Sequence, residues 1–187
     1  PGSRLEWTTE KYSTKLDRIS EVIKAMYYPD LIGLAEVENI HVLQDLVEHP
    51  ALKSQGYDII HHDSPDERGI DVALLYRKEN VEMIDFTGLV VQLHPSIAAA
   101  PGTRDILKAR IAVNRDTLSV YVNHWPSRSG GLAATEPARL EAARVLRDEL
   151  HNVFRKHPNT CLIVMGDFND EPVNKSVRDI LKAGTRK

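Results

Sequence analysis

The stretch Cys161-Leu162-Ile163-Val164-Met165-Gly166-Asp167-Phe168-Asn169-Asp170-Glu171-Pro172 changes character half-way along. From Cys161 to Met165 it is apolar, the pattern of a buried strand in which Cys161 behaves as a small hydrophobe. From Gly166 to Pro172 it is a polar loop. Such loops commonly carry reactive groups, because the sheet holds them in place while their backbone stays open to solvent. The same construction recurs upstream. The run Leu31 to Ala35 delivers Glu36-Val37-Glu38-Asn39, and Leu118 to Trp125, with Asn123 and His124 near its end, delivers Pro126 to Gly131.

Working outward, the spacing of Leu16, Ile19, Val22, Ile23 and Met26 predicts a helix over 9–26, and Val42, Leu43, Leu46 and Val47 a shorter one over 40–48. A long amphipathic helix is expected from Glu136 to Arg155, with Thr135 as its cap and Pro137 in its first turn, and a short one from Lys175 to Leu181. The other predicted strands are Tyr57–His62, Ile70–Arg77, Val81–Leu93 and Ile106–Val113. A hairpin at Asn114-Arg115-Asp116 joins the last of these to the strand ending at Trp125, and His94 to Gly102 reads as a loop. Strands outnumber helices and hairpins recur, so the fold class is α/β (α+β), a mixed-sheet sandwich rather than a doubly wound parallel sheet. No repeat or linker divides the chain, and one domain over 1–187 is expected.

Composition narrows the function classes. A chain of 187 residues, 42% of them hydrophobic, removes roughly 70% of its unfolded surface from water and needs no covalent staple. Its single Cys excludes an internal disulfide framework and a Cys-rich zinc site. The longest apolar runs are about five residues, where a membrane helix needs ~20. With 24 Lys plus Arg against 27 Asp plus Glu, the net charge of -3 gives no broad basic surface. Nucleic-acid binding would therefore be local, through a cluster such as Arg68, Arg104, Arg110 and Arg128. The start at Pro1 reads as a trimmed or processed end.

The side chains at the three strand ends form an inventory suited to phosphoesters. A hard divalent cation takes oxygen ligands, often one or two carboxylates plus substrate phosphate, and Glu36 suits that role. Asp167 is placed to prepare a water for attack, and His124 and Asn169 to donate to phosphoryl oxygens as charge develops. Asn123, Arg128 and Asp71 are assigned to the substrate side. Asp71 sits beside the apolar run Val72 to Leu75, so its burial would call for a cation such as Arg68 or Arg104. His61 and His62, near Asp63 and Asp66, are not expected to share a metal, since adjacent strand residues point to opposite faces. Glu38 is expected at the surface, and Arg139 is the one charge of the long helix expected to reach the site.

In order and spacing, A-E-V-E-N at 35–39, R-G-I-D-V-A-L-L-Y-R at 68–77, V-N-H-W-P-S-R-S-G-G at 122–131 and V-M-G-D-F-N-D-E-P at 164–172 resemble the endonuclease/exonuclease/phosphatase superfamily with the DNase I-like fold. The resemblance implies a four-layer sandwich of two mixed sheets flanked by helices, and Mg2+- or Mn2+-dependent phosphoester hydrolysis. It implies Glu36 as the metal ligand, although Ala35 stands where many members carry Gln. Asp167 would orient or deprotonate the attacking water, Asn169 would hold the scissile phosphate, and His124 would contact phosphate or act on the acid side. Members also carry an N-terminal strand with an Asn and a C-terminal Asp-His pair. Neither is found in these 187 residues, so a fragment or the ordered part of a longer chain is expected. The partner expected is a phosphoester substrate. The alternative is a non-catalytic binding module that has kept the fold.

Overall fold

Alternation along the strands sorts the apolar side chains into three packed interfaces. The computed structural model describes residues 7–97 and 103–183. Its elements are α1 (Thr9–Ala25), β1 (Leu31–Val37), α2 (Ile40–Val47), β2 (Tyr57–His61), β3 (Asp71–Arg77), β4 (Glu82–Leu89), β5 (Ile106–Val113), β6 (Asp116–His124), α3 (Leu132–Lys156) and β7 (Cys161–Asp167). A 3₁₀ turn at Lys53–Gln55 and a π-helical segment at Ser176–Leu181 complete the list.

One sheet has the order β1-β3-β2 and the other β4-β5-β6-β7. Among the described residues the first is wholly antiparallel rather than mixed. The second is mixed, because β7 lies parallel to β6. Central strand β3 is buried on both faces. Val72, Leu74 and Tyr76 pack between the sheets against Leu107, Ala109, Ile111, Val120 and Val122, while Ala73 and Leu75 face Ile23, Leu43 and Leu46 of the helical layer. On the second sheet's outer face, Ile106, Tyr121 and Trp125 receive Ala138, Ala142, Ala143, Leu146 and Leu150 of α3. The layers are therefore helix, sheet, sheet, helix.

Several boundaries differ from the sequence expectation, each for a physical reason. Helix α3 begins a turn early, at Leu132, with Gly131 (φ 105) as its N-cap. Thr135 is thus inside the helix, where its hydroxyl donates to Gly131 O (2.8 Å) and accepts from Arg139 Nη1 (2.8 Å). Pro137 is inside too. Strand β4 ends at Leu89, beyond which Val91 and Leu93 turn inward to seal the α3 interface. Cys161 is exposed, because it opens β7 at the edge of its sheet. The loop expected over 94–102 falls partly outside the described residues. Asn114 takes φ 57 in the tight turn between β5 and β6, a conformation asparagine tolerates.

Leu74 is fully buried between the sheets, whereas Val173 is 65% exposed. Leu74→Ala is expected to lower unfolding free energy by about 2–5 kcal/mol, and Val173→Ala to stay within about 0.5 kcal/mol. Urea midpoints measure both.

Candidate active site

The parallel pairing of β6 with β7 sets the site. Asn123 lies opposite Gly166 and His124 opposite Asp167, so the imidazole and the carboxylate leave neighbouring strand ends. The loops beyond are stitched together: Trp125 N–H donates to Asp167 O (2.9 Å) and Asn169 Nδ2 to Trp125 O (2.9 Å). Asp167 Oδ1 accepts from Asn169 N–H (2.8 Å), an Asx turn that holds Asn169 at φ 50. Gly166 permits this close approach. At φ 126, a Cβ on it would lie 2.0 Å from Asn123 O.

Glu36 arrives from the other sheet through a defect in its strand. The β1–β3 register slips between Ala35 and Val37, and Glu36, the bulged residue at φ 59, is turned out to solvent. Its carboxylate has no hydrogen bond or ion pair among the described residues. Glu38 is exposed beyond the bulge, as expected.

Arg104 joins the two sheets at this end. Its buried guanidinium donates to His124 O (3.1 Å, Nε) and Trp125 O (2.6 Å, Nη2), and its Nη1 to Asp66 Oδ2 (2.9 Å). Asp66 belongs to the 62–70 loop, which two His–Asp pairs clamp. His61 Nε2 lies 3.1 Å from Asp71 Oδ2, and His62 Nε2 lies 3.0 Å from Asp105 Oδ2 on the opposite face. Ser64 links the pairs, its N–H donating to Asp71 Oδ1 (2.8 Å) and its Oγ accepting from Asp105 N–H (3.1 Å).

Burial by itself would raise the Asp66 pKa, but the hydrogen bonds from Arg104 and the Arg68 N–H outweigh it and hold the carboxyl below its ordinary value. Burial pushes the His124 pKa down, and Arg104 and Arg68 add to that, while Asp167 and Glu36 pull the other way. These opposing effects place Glu36, Arg68, Arg104 and Asp167 within electrostatic reach of one imidazole. Its Nδ1 is buried without a hydrogen-bond partner among the described residues.

Against this geometry the comparisons with known proteins can be read. The profile of the endonuclease/exonuclease/phosphatase family matches residues 1–187. The chain belongs to this family. Among solved structures it is similar to the human Nocturnin catalytic domain with bound sulfate (TM-score 0.70, 22% identity, 93% of this chain and 61% of that one). It is also similar to a mannosyl-6-phosphatase of Bacteroides thetaiotaomicron (0.68, 19%, 91% and 62%) and to D. rerio TDP2 complexed with a single-strand DNA product (0.66, 17%, 92% and 59%). The α/β DNase I-like fold is thereby established. The chain spans about three-fifths of the length of these structures. A sequence search of characterised proteins finds no significant match.

Of the sequence-derived site residues of this family member, His124, Asp167 and Asn169 lie at neighbouring strand ends with Glu36 in electrostatic reach of His124, whereas Asn123 and Asp71 are buried and Arg128 is bound into the loop. Asn123 is fully buried, its Oδ1 accepting from Trp125 Nε1 (3.0 Å) and its Nδ2 donating to Tyr121 O (3.3 Å) and Met165 O (3.1 Å). Asp71 is buried against His61 and Ser64 N–H rather than against an arginine. Arg128 is spent on the loop, donating to Asn169 O (2.6 Å), Asp170 Oδ1 (3.2 Å) and Asn174 Oδ1 (3.1 Å). Asn123 and Asp71 are held within the fold, and Arg128 holds the loop after β7 from its side.

Asp170, to which the sequence reading assigns no role, anchors the loop. Its side chain is 1% exposed and lies between Arg128 and the fully buried Arg139, whose Nε is 2.9 Å away. That Nε–H is not aimed along the contact, so the pair is ionic rather than a directed hydrogen bond. Ser176 Oγ also donates to Asp170 Oδ2 (2.5 Å). Arg139 therefore reaches the site only from below. The one hint in the sequence was a lone Arg at a helix position flanked by Ala138 and Leu140.

A divalent cation fits the hard oxygen donors of this site, with Glu36 presented free of other partners. A separate group, His61, Asp63 and Asp71, has ligand atoms within 4.8 Å of one another. There, however, Asp63 lies on the Nδ1 side of the ring (3.8 Å) and Asp71 on the Nε2 side (3.1 Å), so the set forms a chain and does not converge.

Removing Arg139 would leave the buried Asp170 carboxylate with only the half-exposed Arg128 to balance its charge. Arg139→Met is expected to cost about 3–5 kcal/mol, with much of that loss regained in Arg139→Met/Asp170→Asn, as a double-mutant cycle by urea unfolding would measure. The lowered Asp66 pKa implies stability that is fully present above the ordinary carboxyl value of about 4 and lost as pH falls through the folded value. Asp66→Asn is expected to be less stable than the parent at pH 7, with the gap closing toward pH 3, in unfolding curves taken across that range.

Proposed function

We propose that the chain carries a Mg2+- or Mn2+-dependent phosphoester-hydrolysing site, with one domain supplying Glu36, His124, Asp167 and Asn169. The observation that carries this reading is the pairing of His124 with Asp167 at parallel strand ends, with Glu36, unpartnered among the described residues, turned out to solvent by a bulge within electrostatic reach of His124. When bound, the metal supplies Lewis-acid polarisation of a phosphoryl oxygen, and Glu36 would hold it. Asp167 has Oδ1 tied to Asn169 N–H, leaving Oδ2 to take the proton of the attacking water. One N–H of the Asn169 carboxamide is fixed on Trp125 O, which aims the other at a phosphoryl oxygen. His124, kept neutral by burial and by Arg104, donates to the phosphoryl group without adding charge to the resting site.

Arg68 is 54% exposed in its side chain and acts electrostatically on His124, so we assign it to drawing in the substrate phosphate. Sugar-phosphate, nucleotide and nucleic-acid esters all offer that group. The DNA product bound to TDP2 and the mannosyl-6-phosphatase motivate assays with nicked DNA and phosphomonoesters beside bis-p-nitrophenyl phosphate.

Turnover should require Mg2+ or Mn2+ and stop with EDTA. Asp167→Asn and His124→Gln should each lower kcat by about 10²–10³-fold, and Arg68→Ala should mainly raise KM. Metal-dependent turnover that survives Asp167→Asn would overturn the assignment. The absence of turnover on every substrate by the longest natural form of the protein would leave the non-catalytic binding module.

A further inference from the structure

At the end of the second sheet remote from His124, the interface with α3 opens instead of closing. The buried face of α3 runs through Ala138, Ala142, Leu146 and Leu150. Continued at helical spacing, it reaches Glu149, Val153 and Lys156. On the sheet, the α3-facing side changes from Ile106, Tyr121 and Trp125 to Lys108, Arg110 and Ser119. Apart from Val153, the positions that should seal helix to sheet are thus polar, and a cavity of about 710 Å³ lies between them. That size suits a small molecule. Ser119, at its floor, is five residues from His124 along β6, or about 17 Å.

The charges within it are unequal. Lys108 is neutralised by Glu149 (2.6 Å) and Arg110 by Asp85 (2.8 Å). Lys156 and His157 at the rim make no side-chain hydrogen bond or ion pair among the described residues, so the cavity offers a surplus cationic group on a molecule of net charge -3. Most of the remaining lining is hydroxyl and carboxamide, from Thr117, Ser119, Asn152, Asn159 and Thr160, with Val153 and Pro158 as its apolar part and no Phe, Tyr or Trp to serve as a stacking platform. Concavity together with a polar lining favours a compact anion over a nucleic-acid strand, which needs an open basic track and stacking platforms.

We propose that this cavity is a second ligand site for a phosphate-bearing small molecule, with Lys156 and His157 holding the anionic group and the hydroxyl and amide lining meeting a polyhydroxyl remainder. It is independent of the hydrolytic reading, since none of its residues belongs to that site. The same chemistry comes from free phosphate or from a sugar phosphate, and the test separates them.

Isotope-labelled protein carrying Asp167→Asn, so that any ester survives, is titrated by NMR with inorganic phosphate, glucose 6-phosphate and glucose. The expected result is saturable shifts at the Ser119, Lys156 and Thr160 amides with the two phosphate compounds and none with glucose. Tighter binding of glucose 6-phosphate by about tenfold assigns the site to a sugar phosphate, and equal affinity assigns it to the phosphate ion. Lys156→Glu and His157→Glu, both at exposed positions, are each expected to weaken binding about tenfold with the circular dichroism spectrum unchanged. Shifts confined to the residues around Glu36 and Asp167, undiminished affinity in both variants, or displacement by a short DNA duplex at lower concentration would overturn the proposal.

Discussion

A buried carboxylate held between two guanidinium groups organises the end of this protein where β6 and β7 leave their sheet. Asp170 draws together Arg139 from α3, Arg128 from the loop after β6 and Ser176 from the π-helical segment. Each charge would be costly to bury alone, and each is tolerable only because the others are present. The pairing therefore acts as a geometric condition. The Gly166–Pro172 loop can sit against the helix only where Asp170 meets Arg139, and this carries Asp167 and Asn169 to their places beside His124.

The second cross-link, through Arg104, does for the two sheets what Asp170 does for loop and helix. Arg104 donates to the main-chain carbonyls of His124 and Trp125 at the strand end, the latter shared with Asn169, while its charge is met by Asp66. Asp66 in turn depends on a loop fastened by two His–Asp pairs. The polar groups at the strand ends are thus few, and a larger set of hydrogen bonds and ion pairs behind them removes their freedom. That arrangement is what positioning chemistry to a fraction of an ångström requires.

Much of this was legible beforehand. Alternation in Leu107 to Val113 and Leu118 to Val122, the continuous apolar run of β3 and the polar loops that follow marked the strands and showed that Glu36, His124, Asp167 and Asn169 lie at or just beyond strand ends. The roles of Asn123, Asp71 and Arg128 were not legible, because a polar residue beside a reactive one reads the same whether it faces substrate or holds the backbone from behind. The early start of α3 escaped notice for a related reason. Thr135 and Pro137 are ordinary start signals, and only the tie from Thr135 to Arg139 shows that they lie inside the helix.

By itself, the sequence determined the layered class, the strand ends that carry chemistry and the residue types available there, since these follow from periodicity and from side-chain chemistry, which are local. The tertiary structure alone decided which charges pair, that β7 runs parallel to β6 so that His124 and Asp167 meet, that a bulge turns Glu36 outward, and that a polar cavity opens at the far end of α3. Those are outcomes of contacts between residues tens of positions apart. Their partners are chosen by shape and desolvation in the folded chain, and no window of sequence contains both sides of such a contact.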